Sequence, residues 1–145
     1  MAAFGWSVGD LVLAIRFVVK TGQALKDTGG ASDDYQESID FLHGVEATLK
    51  NLEAVARLSP TGAAVHSIAP QAERIQHCIE SFISSIAGYE SSLGLDRKRG
   101  FHHGVWQKGK WSAFVSKKCK ELQGKVAVVI SSINTNLSIQ LLYES

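Results

Sequence analysis

The side chains able to do chemistry are scattered along this chain. His77 and Cys78 are adjacent, so on a helix they point in different directions and cannot close on one metal ion. His102 and His103 sit among glycines, with no Cys or carboxylate at ligand spacing. Glu80 and Glu90 do not form a focused acid pair. There is no Gly-x-Ser-x-Gly nucleophile turn and no glycine-rich phosphate loop. Ser81, Ser84, Ser85, Ser91 and Ser92 crowd one segment, and Ser84 and Ser85 read as packing or solvent-facing residues rather than nucleophiles. Cys78 and Cys119 both fall on apolar helical faces, the pattern of reduced core thiols. A disulfide between them needs the third and fourth helical segments to be neighbours. The reading is therefore non-enzymatic, with no metal and no cofactor.

The chemistry that remains is electrostatic. The net charge is +1, but it is unevenly spread. Residues 1–95 carry six Lys/Arg and eleven Asp/Glu, a net of −5. Residues 96–125 carry nine Lys/Arg (Arg97, Lys98, Arg99, Lys108, Lys110, Lys117, Lys118, Lys120 and Lys125) against Asp96 and Glu121, a net of +7. Such a block attracts an anionic partner: lipid headgroups, nucleic acid or an acidic protein face. Aromatics Phe101, Trp106 and Trp111 lie within it, and Trp favours the membrane interface. No recognised nucleic-acid module is present, so nucleic acid is not the favoured partner.

The elements that must position these groups are helical. A chain of 145 residues, 45% apolar and 20% charged, with only two prolines, fits one all-α domain with a continuous core. A first helix is expected over Val8–Lys26, capped by Ser7 with Asp10 in its first turn, and with Val8, Leu11, Val12, Ile15, Val18, Val19, Gly22 and Leu25 on one broad face. A second is expected to start at the N-cap Ser32 and to turn Ile39, Leu42, Val45, Leu49, Leu52 and Ala56 inward. The break Ser59-Pro60-Thr61-Gly62 ends it. A third begins near Pro70, a favourable first-turn position, with Ile75, Cys78, Ile79, Phe82, Ile83, Ile86, Tyr89 and Leu93 as its stripe and Gly94 as its stop. A basic glycine- and aromatic-containing connection then runs from Leu95 to about Lys110. A long fourth helix follows, from about Trp111 to Leu142, lined by Val115, Cys119, Leu122, Val126, Val129, Ile130, Ile133, Leu137 and Leu141. Four amphipathic helices with short turns predict a four-helix-type bundle. Because the chain ends soon after the apolar stretch Leu137–Tyr143, it reads as the N-terminal domain of a longer protein.

The first helix carries a second stripe. Leu13 and Phe17 point away from its main face, Trp6 and Ala24 line up with them, and Asp10 and Lys20 flank them. Either the helix is the bundle's central one, buried on both sides, or the stripe docks a partner or enters a bilayer. Asp10 and Arg16 interrupt the apolar run, which argues against a signal peptide and a simple membrane span. A soluble, cytoplasmic resting form is expected.

The lead Phe4-Gly5-Trp6-Ser7-Val8-Gly9-Asp10, the run Leu25-Lys26-Asp27-Thr28-Gly29-Gly30-Ala31-Ser32, Tyr35, Leu42, Val45-Glu46 and Leu49 resemble the N-terminal helical domain of many fungal proteins. That group is related to the HeLo and HELL-type cell-death domains and is similar to the bundle of the necroptosis effector related to mixed-lineage kinases. The resemblance spans residues 4–55 by motif and the rest by helical pattern. It implies a four-helix bundle that permeabilises membranes in regulated cell death, is activated by self-association under a nucleotide-binding receptor, and moves from cytoplasm to plasma membrane. It also implies that Met1–Val19 is the membrane-active part. Membrane-insertion candidates are then Phe4, Trp6, Leu11, Leu13 and Phe17. The charge pattern itself nominates Arg97, Lys98, Arg99, Lys108, Lys110, Lys117 and Lys120 for anionic lipid. The alternative is a non-lytic interaction module of a receptor-type protein.

Overall fold

The computed structural model describes residues 6–29, 33–58, 63–92 and 105–144. These form four helices, α1 (Val8–Gly29), α2 (Asp33–Leu58), α3 (Ala63–Ser92) and α4 (Val105–Glu144), and no strand lies among them. The protein is an all-α bundle with a long C-terminal helix, as the apolar periodicity predicts. α1 pairs chiefly with α2 and α3 with α4, α2 lies against α4, and α1 and α3 scarcely touch.

The core is built largely from the expected stripes, but Val19, expected on the inner face of α1, is 43% exposed. Leu11, Ile15, Val18 and Leu25 of α1 meet Ile39, Leu42, Val45, Leu49, Leu52 and Ala56 of α2 in one cluster with Ile75, Ile79, Phe82 and Ile86 of α3 and Val115, Leu122, Val126, Ile133 and Leu137 of α4. At Gly22 a Cβ would stand 3.8 Å from Leu42 Cδ1, an ordinary packing contact between α1 and α2. Exposed pairs such as Lys50–Glu46 at 2.8 Å and Arg57–Glu53 at 2.9 Å support α2 by about 0.3–0.5 kcal/mol each.

Polar rungs cross the apolar core. The Ser38 and Ser116 hydroxyls share a hydrogen bond at 3.1 Å between α2 and α4. Gln71 donates to Ser132 Oγ at 2.8 Å and accepts from Asn136 at 3.3 Å, joining α3 to α4. A slip would leave the buried Ser38–Ser116 pair unmatched, which favours this register, while the Gln71 bonds are only part-buried.

Two expected boundaries need correction. Helix three does not start near Pro70: α3 begins at Ala63, and Pro70 lies inside it. Proline's φ is compatible with a helix, and the loss is one i→i−4 bond plus a local clash. Ile68 and Ala72, both fully buried, hold the turns on either side of Pro70 against the core. Helix four does not start at Trp111 but at Val105, so Trp106 and Gly109 are helical rather than part of a connection. Gly109 costs about 1 kcal/mol relative to alanine, and burial of Trp111 and Val115 just after it outweighs that. Ser32, Gly94 and the connection over 95–104 lie outside the described residues.

Candidate functional site

The start of α1 is pinned by a reciprocal cap. Ser7 Oγ accepts from the Asp10 backbone N–H at 3.1 Å, and Asp10 Oδ2 accepts from the Ser7 N–H at 3.2 Å. This is a capping box with aspartate at the third helical position. Trp6, just before the cap, and Leu11, four residues after it, occupy the positions of a hydrophobic staple. Both are buried in the same cluster, at 4% and 0% exposure. The aromatic lead is thus anchored at Trp6, and Phe4 lies outside the described residues.

α1 is not buried on both sides. Leu13 is 63% exposed and Phe17 is half-buried, whereas Leu11 and Ile15 face the core. Trp6, Leu13 and Phe17 converge with Ile83 of α3 on an open groove of about 300 Å³, with Asp10 and Glu80 also lining it. α1 and α3 scarcely touch, each being packed chiefly on its own hairpin partner, and the groove lies between them. Leu11 takes no part in it. Periodicity places Ile83 on α3's core stripe; it packs partly buried against the core and also forms the facing wall of this groove. That role depends on how α1 and α3 lie, which the spacing along one helix does not encode.

The lysine candidates lie along α4. Lys108 is half-buried, and Lys110, Lys117 and Lys120 are exposed, all well away in sequence from the α1 stripe. Arg97, Lys98 and Arg99 lie outside the described residues. Beyond Lys125 the outer face of α4 has no charge as far as Ile139, and Val128 is 82% exposed.

A second cleft, between α3 and α4, is one that the sequence pattern does not reveal. Its polar lining is Cys78, Ser81, Ser85, Lys118, Glu121 and Lys125, over an apolar base of Phe82 and Leu122. The stacked rings of Tyr89 and Phe114, 3.9 Å apart and 12° from parallel, fasten the two helices beside it. The only signals for it in sequence are the spacings Ser81/Ser85 and Lys118/Lys125, which become meaningful once the helices pair antiparallel.

Both cysteines are free thiols. Burial pushes the Cys119 thiol from 9.0 up to about 12, against a smaller opposing effect of the Ser38 hydroxyl. Among the described residues no three His, Cys, Asp or Glu side chains gather as a metal site, and no helix is long and apolar enough to cross a membrane. No family model, curated protein or solved structure matches the chain. The fold is therefore an all-α four-helix bundle in which Leu13 stands exposed beside half-buried Phe17 on α1 and α4 is rich in lysine.

Proposed function

We propose that this domain is a membrane-targeting effector of regulated cell death. It would bind anionic lipid through the lysine-rich half of α4, self-associate, and permeabilise the bilayer through α1. The observation that carries the reading is the stripe on α1, where Leu13 stands 63% exposed beside half-buried Phe17 on a helix whose other side is core. The resemblance of residues 4–55 to fungal cell-death domains supports the same reading and supplies the upstream nucleotide-binding receptor as its trigger.

Energetics favour an interfacial first step. Releasing α1 uncovers Trp6, Leu11, Ile15, Val18 and Leu25, at a cost on the order of 10 kcal/mol. A lysine at an anionic surface contributes about 1 kcal/mol. Lys110, Lys117, Lys118 and Lys125, which share one side of α4, can therefore help hold the folded domain at a membrane, but they do not suffice to unpack α1. Leu13 can enter the headgroup region without unpacking, whereas Phe17, packed against the core, cannot, and full release of α1 needs the bilayer to rebury its core face.

The test is dye release from vesicles containing cardiolipin or phosphoinositide, with the protein oligomerised by a fused dimeriser. Leakage that is lost in Leu13→Asp is expected. Absence of leakage from oligomerised protein overturns the reading. The groove between α1 and α3 favours the second reading, a non-lytic interaction module. That reading predicts a soluble complex, sensitive to Leu13→Asp, with no lipid preference.

A further inference from the structure

We propose that the cleft between α3 and α4 binds a phosphate monoester, with Lys118 and Lys125 supplying charge, Ser81 and Ser85 donating hydrogen bonds, and Cys78 at its edge. The inference deepens the lipid reading above by naming the group recognised, and its geometry stands apart from the α1 stripe.

Four observations carry it. The first is where Lys118 sits, between a carboxylate and a ring. Its Nζ lies 3.2 Å from Glu121 Oε2 and 5.5 Å from the centre of the Phe114 ring, which stacks on Tyr89. An ammonium so placed still has protons to donate. The second is that Lys125 is exposed and has no carboxylate within ion-pair distance among the described residues. The cleft thus holds two ammonium groups against one carboxylate.

The third concerns the hydroxyls. Hydroxyl side chains within helices commonly bond back to a carbonyl of the preceding turn, and here Thr48, Ser92 and Ser138 do so at 3.1, 2.8 and 2.9 Å. Ser81 and Ser85 make no such bond and no other among the described residues, although both line the cleft. Two uncommitted hydroxyls one turn apart therefore face a space bounded by two ammonium groups. The fourth is size. The cleft measures about 50 Å³, room for about four water-sized positions, which suits a tetrahedral oxyanion. Glu121 opposes an anion, so binding must work through Lys125 and the remaining protons of Lys118.

A phosphate monoester of this kind is carried either by a lipid headgroup or by a small soluble phosphate. Cys78 supplies the assay: it is half-buried at the cleft, and Cys119, buried with its thiol pushed up to about 12, serves as the internal control for folding. Alkylation of Cys78 by iodoacetamide is followed by mass spectrometry. The additions compared are inorganic phosphate, sodium chloride of equal ionic strength, vesicles of phosphatidic acid in phosphatidylcholine, and vesicles of phosphatidylcholine alone. At ten times Kd an occupied cleft slows labelling by about tenfold.

Saturable slowing by phosphate, by phosphatidic acid or by both supports the site, and the pattern identifies the source. Lys125→Gln is expected to abolish the slowing, and Glu121→Gln to shift it to lower ligand concentration. Both positions are exposed, and Cys119 stays unlabelled while the bundle is folded. Slowing by neither ligand, slowing matched by sodium chloride, or slowing unchanged in Lys125→Gln overturns the site. Vesicle leakage without protection of Cys78 would remove this site and leave the membrane function. Protection by inorganic phosphate without leakage would do the reverse.

Discussion

Leu11 and Leu13 form a controlled comparison, being the same residue type two positions apart on one helix. Leu11 is fully buried and Leu13 is 63% exposed. Truncating a fully buried leucine loses its transfer free energy and leaves a cavity, so Leu11→Ala should cost about 3–4 kcal/mol. For a domain of this size that corresponds to a fall in Tm of about 10 °C. Leu13 retains about a third of its possible burial, which limits the cost of Leu13→Ala to about 0.5–1 kcal/mol. Urea unfolding followed by circular dichroism reads both, and the two variants should share one m-value. The functional order should be the reverse: folded Leu13→Asp loses membrane or partner binding, whereas Leu11→Ala retains it at temperatures where it is folded. Equal destabilisation by the two alanine variants would refute the reasoning, because it would place Leu13 in the core and make the second stripe an ordinary packing surface.

Two further outcomes follow from the interior. Cys119 has a folded pKa raised from 9.0 to about 12, so the native state holds its proton where the unfolded chain releases it. Its contribution is complete below pH 9 and is lost as pH rises toward 12, and Cys119→Ala should show a shallower alkaline fall in urea stability than the parent chain. Pro70 is exposed inside α3, so Pro70→Ala should raise stability by about 1–3 kcal/mol in the same unfolding assay. A loss of stability would mean that the helix does not run through that position.

Much of the bundle is legible in the helical period of the sequence. Buried positions repeat at three and four residues, so the inward stripes of α2 and α4 can be read almost residue by residue, and Ser7 with Asp10 marks the start of α1 through local hydrogen bonding. The departures lie where tertiary burial overrides local preference. Pro70 has the character of a helix start because its missing N–H is harmless there, but Ile68 buried on its N-terminal side carries the helix through it. Gly109 has the character of a connecting residue, but the anchoring of Trp111 extends α4 past it.

Composition and periodicity by themselves determined the all-α class, the inward faces, the charge division and the existence of a second stripe on α1. Those properties depend on spacing along a single helix, which the chain carries explicitly. Only the tertiary structure decided whether that stripe is covered, because its exposure depends on how little α3 packs against α1. The pairing of α3 with α4 likewise brought Ser81 and Ser85 to the same cleft as Lys118 and Lys125. A groove or a cleft belongs to two helices at once, and the angle and register between them arise from packing the whole core.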